Sequence, residues 1–149
     1  MRRDGKLSGV LHVLLHMADA REPITSETLA QAMSTHPVVV RRVMAGLREA
    51  GFVRSEKGHG GGWSIACDLA KTTLLDIYRA VGEPTLVALG FDDVQPSCLV
   101  ARAVNTALDG AARDAEQLLL QRFESISLAD LAADFSKKKR NHQCNTTRS

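Results

Sequence analysis

Apolar residues recur every three or four positions at Leu7, Val10, Leu11, Leu14, Leu15 and Ala18, a spacing that predicts an amphipathic helix ending near Ala20. Beyond Pro23, Thr25 is placed as an N-cap, with Ile24 and Leu29 positioned as a hydrophobic staple. A second helix follows from Ser26 to about Met33, and the turn Ser34-Thr35-His36-Pro37 puts proline at the first position of a third. Val40, Val43, Met44 and Leu47 share one face of that third helix, and Gly51 sits where a C-capping glycine belongs. The next stretch, FVRSEKGHGGGWSIA, reads as strands over Phe52–Ser55 and Trp63–Ala66 around a glycine-rich tip, a β-hairpin.

Thr73 to Val81 forms a fourth helix, with Thr73 and Asp76 spaced as a capping box and Gly82 and Pro84 ending it. A loop over residues 83–96 carries a short apolar patch at Leu86–Leu89. From Ser97 to about Glu124, Val100, Val104, Ala107, Ala111, Ala115 and Leu118 step by three or four along one long helix. That stripe exceeds what one small core covers, so it is expected to pair with a second copy of itself. The expected dimer interface is therefore Val100, Val104, Ala107, Ala111 and Leu118. Ser127 and Asp130 start a short last helix through Phe135, and the tail KKKRNHQCNTTRS shows no apolar periodicity and is expected to be disordered.

Helix, short turn, helix and hairpin is the order of a winged helix-turn-helix. The predicted class is mainly α with a small β-hairpin: a winged helix-turn-helix plus a long dimerisation helix. The domains are a winged helix-turn-helix over 1–82, a connecting loop over 83–96, dimerisation helices over 97–135 and a basic tail over 136–149.

Composition narrows the class further. Hydrophobic residues make up 44% of the 149, enough for a core, and the low 4% aromatic share favours helices over a sheet-rich fold. No apolar run approaches the roughly 20 residues of a membrane span. The start is basic and then apolar, as in a signal peptide, but His12, His16 and Asp19 interrupt it. A cytoplasmic protein is expected. The net charge of +2 hides a strong asymmetry. Residues 1–66 hold nine Lys/Arg against six Asp/Glu, residues 67–135 hold five against eleven, and the tail holds five bases and no acid. A basic N-terminal half beside an acidic helical segment suits a module that meets DNA next to one that avoids it.

The third helix is the natural reader of duplex DNA. Its N-terminus lends partial positive charge and free N–H groups to a phosphate. Arg41 and Arg42 lie on its outer surface, where they reach base edges or the backbone. The hairpin tip, Gly58 to Gly62, approaches DNA closely because it is nearly free of side chains, with Lys57 and His59 supplying charge. Two surface arginines alone describe a solvated face, and the hairpin alone a tight connection; their combination carries the reading. No catalytic constellation is present: Ser, His and Asp occur in no nucleophilic motif, and the glycine run lacks the lysine and spacing of a phosphate-binding loop.

The segments TSETLAQAMSTHPVVVRRVMAGLREAGFVRSEKGHGGGWSIA and TTLLDIYRAVGEP resemble the Rrf2 family of bacterial winged-helix transcription regulators, strongly over residues 5–85 and more weakly through the long helix. The resemblance implies a homodimer that joins through the long helix and binds palindromic operator sites in double-stranded DNA. Carried over by position, the DNA-facing residues are Thr35, His36, Val38, Val39, Arg41 and Arg42, with Lys57, His59, Gly60 and Gly61 in the wing. Family members often have asparagine where His36 stands.

The cysteines depart from that pattern. Iron–sulfur members of the family carry three clustered before the long helix, whereas this chain has Cys98 there, Cys67 at the wing's exit and Cys144 in the tail. Those spacings match no cluster or zinc motif, so no cofactor is expected. Cys98 at a helix start is in a place that favours thiolate, and it is the candidate redox sensor. His12 and His16 lie one helical turn apart, but no third ligand is near in sequence and no metal site is expected. The expected function is a DNA-binding repressor responsive to thiol oxidation. Two alternatives stay open: a winged helix used only for protein assembly, and an iron–sulfur sensor with atypical ligands.

Overall fold

A computed structural model describes residues 5–89 and 97–146, with side chains up to residue 141. The elements are α1 (Lys6–Asp19), α2 (Ser26–Ala32), α3 (Pro37–Glu49), β1 (Val53–Glu56), β2 (Gly62–Ile65), α4 (Leu74–Ala80), α5 (Leu99–Glu124) and α6 (Leu128–Thr146). The fold is mainly helical with one two-stranded antiparallel sheet, as the periodicity predicts. Residues 90–96 of the connecting loop and the last residues of the tail lie outside the described residues.

Local chemistry sets each helix boundary. Thr25 caps α2 by accepting from the Thr28 amide, and Thr73 and Asp76 form the expected capping box on α4. The His36 ring caps α3, its Nδ1 accepting from the Val38 amide at 3.2 Å, and Pro37 opens the helix. Gly51, at φ 84°, turns the chain out of α3, and the Phe52 amide donates back to the Leu47 carbonyl.

The core gathers the predicted faces. Val10, Val13 and Leu14 of α1, Leu29 of α2, Val40, Met44 and Leu47 of α3, and Ile77 of α4 are all at most 1% exposed. The two strands pair Val53 with Ile65 and Glu56 with Gly62, and Ile24 adds a third, one-residue edge by bridging to Trp63. Behind that bridge the Trp63 indole donates to the Ser26 hydroxyl at 2.9 Å, which satisfies the one polar atom of a buried ring.

Two features differ from the sequence-based expectation. First, α6 runs to Thr146, not Phe135, through the segment expected to be disordered. Lysine and arginine are good helix formers, so the basic run continues the helix begun at Leu128. Side chains add Lys138–Asp134 at 2.8 Å and Lys139–Asp19 at 2.9 Å, the second tying α6 to α1. Second, the residues after α5 return to the N-terminal unit and are not only an extension of the long helix. Leu128 is 1% exposed within the same core, and its amide donates to the Thr72 carbonyl, while the Leu74 amide donates to Ile126. Leu128 thus belongs to the same buried cluster as the residues of α1 to α4.

Candidate nucleic-acid interface

The side of α3 opposite Val40, Met44 and Leu47 presents Val38, Val39, Arg41 and Arg42, all exposed, with Val38 49% and Val39 42% accessible. Thr35 is half-buried at the turn before the helix, where its amide donates to the Ala30 carbonyl. His36 is exposed but already used as the helix cap, so its Nδ1 is committed to the backbone. Arg41 is held by Glu27 of α2 at 2.7 Å, an exposed pair that orients the guanidinium more than it stabilises the fold. Arg42, exposed on the same face, also lines a small cleft with Lys6, Val43 and Gly46, and Lys6 donates to the Val81 carbonyl at the end of α4.

The wing stands beside this helix. Lys57, His59 and Gly60 are exposed at its tip, and Gly61 is half-buried. A side chain at Gly61 would put Cβ 2.4 Å from the Glu56 carbonyl oxygen, so the tip closes this tightly only with glycine. At Gly62, φ is 151° and a Cβ would lie 2.5 Å from the Ile24 oxygen, where the Ile24–Trp63 bridge forms. Gly62 thus serves the attachment of the wing as much as its turn.

Arg48 lies in the last turn of α3. Its guanidinium carbon lies 5.9 Å over the Trp63 ring and its Nη1 donates to the Ser55 hydroxyl at 3.4 Å. It therefore joins the end of α3 to both strands of the wing. No sequence signal pairs Arg48 with a tryptophan fifteen residues away across a hairpin; only the fold does.

The remaining predicted residues lie apart from this face. Cys98 is exposed and is the N-cap of α5, making no side-chain cap hydrogen bond. None of the 26 residues of α5 is buried, and Val100, Val104, Ala107, Ala111 and Leu118 are all exposed in the single chain. The helix touches its own domain chiefly through α4, where Tyr78 meets Phe123 edge-on at 6.1 Å. Burial, then the nearby Glu116 and Glu83, raise the Tyr78 phenol above its ordinary pKa.

Comparison with known proteins agrees with this architecture. A family profile, Rrf2, described as "Iron-dependent Transcriptional regulator", matches residues 4–134. The chain is 30% identical to YwnA of Bacillus subtilis, named as an HTH-type transcriptional regulator, over 128 residues that span 86% of this chain and 95% of YwnA. Among solved structures, a protein from Lactobacillus plantarum named as a transcriptional regulator superposes with a TM-score of 0.69 at 22% identity, covering 99% of this chain and 100% of that one. CymR, titled the global cysteine regulator of B. subtilis, superposes at 0.58 with 21% identity, covering 89% and 97%.

The iron of the family description finds no matching donor set here. Among the described residues no three His, Cys, Asp or Glu side chains come together to hold a metal ion. Cys98 stands at the start of α5, and Cys67 lies at the exit of the wing. Clusters of this kind take four protein ligands, chiefly thiolates, and the chain has three cysteines in all. Among the described residues no helix is long and apolar enough to cross a membrane. With a winged-helix architecture and a family match across nearly its whole length, this chain belongs to the Rrf2 family of DNA-binding transcriptional regulators and is not an enzyme.

Proposed function

We propose that this regulator is a cytoplasmic, homodimeric repressor that reads a palindromic site in double-stranded DNA. Each subunit lays α3 in the major groove and its wing on the neighbouring backbone. The observation that carries this reading is the pairing of an exposed, basic helix face with a glycine-tipped hairpin, joined through Arg48, Ser55 and Trp63. In this arrangement Thr35 offers its hydroxyl to a phosphate, Val38 and Val39 meet thymine methyl groups, and Arg41 and Arg42 reach base edges or phosphates. Lys57 and His59 add charge at the wing, and Gly60 and Gly61 let its backbone come close.

The second subunit enters through α5. The stripe Val100, Val104, Ala107, Ala111 and Leu118 gains burial only against another chain, and self-pairing sets the separation of the two α3 helices. Cys98, exposed at the N-cap of that helix, is where oxidation acts: its thiolate attacks a peroxide oxygen, hydroxide leaves, and a sulfenic acid remains. The added polar atom shifts the start of α5 and moves the two half-site readers out of register.

Selection of bound sequences from random duplexes tests the whole reading, with and without mild oxidant. A palindromic consensus recovered with reduced wild type and lost on oxidation, but not lost with Cys98→Ser, supports it. Recovery of no sequence preference turns the winged helix into an assembly module. Oxidation acting equally on Cys98→Ser removes the sensor role alone.

A further inference from the structure

His12 and His16 lie on the exposed side of α1, away from α3 and the wing, with their Nε2 atoms 2.9 Å apart and ring centroids 4.7 Å apart. One ring donates to the other, so the two Nε2 atoms face each other across one hydrogen bond. Two imidazole nitrogens about 2.05 Å from one ion, at a right angle, are about 2.9 Å apart, whereas a tetrahedral ion needs about 3.3 Å. The present separation is that of the hydrogen bond, and it lets the pair reach the bite of a tetragonal ion with little movement.

We propose that His12 and His16 form a bidentate site for a divalent ion of tetragonal preference, Cu²⁺ or Ni²⁺. Binding replaces the hydrogen bond between the rings. The proton on one Nε2 moves through solvent to Nδ1 of the same ring, so both rings stay neutral and both Nε2 lone pairs face the ion. No other His, Cys, Asp or Glu among the described residues completes a group of three, so water or an external ligand fills the remaining positions. The ion is therefore exchangeable, unlike a structural metal with a closed shell.

The surroundings give the site a position in the fold. The His16 ring meets Phe135 of α6 at 6.3 Å, and one turn further along α1 Asp19 carries Lys139 at 2.9 Å, which offsets the nearest ammonium. His12 also lines an apolar cleft of about 490 Å³ between α1, Leu74 of α4, Leu86 and Phe123 of α5. An ion on the pair stands at the rim of that cleft, with its open positions available to a ligand bound there. This site uses imidazole, not cysteine, and is separate from the iron of the family description.

The test is titration of NiCl₂ into the full-length protein at neutral pH, followed by calorimetry, for wild type, His12→Gln, His16→Gln and the wing control His59→Gln. Wild type and His59→Gln are expected to bind one ion per chain. Either α1 variant should need at least about tenfold more nickel for half-saturation, since a direct ligand matters no less than an outer-shell partner. The CuSO₄ complex of wild type should show electron-spin-resonance splitting from two nitrogens, reduced to one or none in the variants. Melting curves without metal check that each variant is folded, and both rings are exposed enough for that. No saturable nickel binding by wild type, or binding by His12→Gln and His16→Gln as tight as that of wild type, overturns the proposal.

Discussion

Arg42 is on the pole of α3 farthest from Val40, Met44 and Leu47, so its removal leaves the core intact and takes a cation off the helix face. Arg42→Ala is expected to weaken operator binding by about 1–3 kcal/mol with an unchanged melting temperature. Fluorescence anisotropy with a labelled operator measures it, and wild-type affinity would remove Arg42 from the interface. Gly62→Ala tests the wing's attachment. The new Cβ meets the Ile24 oxygen at 2.5 Å in a backbone region that side chains avoid, so a loss of about 1–3 kcal/mol in urea unfolding is expected. Asp130 carries a pH dependence. Hydrogen bonds from the Ser127 amide, then from its hydroxyl, hold the Asp130 carboxyl below its ordinary pKa, and Lys138 does the same for Asp134. The folded state favours the charged forms, so their contribution is complete above the ordinary aspartate pKa and is lost as pH falls through the lowered values. Melting temperature should therefore drop in that acidic window, and less steeply in Asp130→Asn, which has no charge to lose. An equal slope in the variant would assign the acid sensitivity to other groups.

At the scale of elements, α5 and α6 behave in opposite ways although one follows the other. α5 has an apolar stripe and no buried residue, whereas α6 begins on Leu128, at 1% exposure. A charge at Val104 is expected to leave the fold of each chain intact and to give monomers with lost operator affinity, because the half-sites are no longer bridged. Light scattering at micromolar concentration decides this, and a monomeric wild type would refute the role given to α5. Leu128→Ala should act differently, costing about 2–5 kcal/mol of unfolding free energy through the cavity it leaves beneath α1 and α4. Chemical denaturation measures that cost; a loss below about 1 kcal/mol would mean that α6 is only appended to the domain.

For the whole molecule, charge is sorted by position: a basic N-terminal half, an acidic middle and a basic end on α6. Binding through Lys and Arg releases counterions, so operator affinity is expected to fall by about a hundredfold or more between low and moderate salt. A flat salt profile would contradict a phosphate-contacting face. The order of elements, the caps at Thr25 and Thr73, the proline that opens α3 and the glycine tip were all legible in the sequence, because each depends on residues within one or two turns of one another. The exposed stripe of α5 was legible for the same reason, since helical spacing alone puts those residues on one line. Other features required contacts between distant parts of the chain. Arg48 over Trp63, Arg41 on Glu27, Gly62 against Ile24, Leu128 in the N-terminal core and Lys139 on Asp19 all join segments whose meeting no local pattern encodes. The sequence thus determined which helices form and which face of each is apolar, through short-range periodicity and capping. Tertiary structure alone decided how the wing is fastened to the reading helix and where the last helix packs, because those depend on side chains brought together only when the core closes.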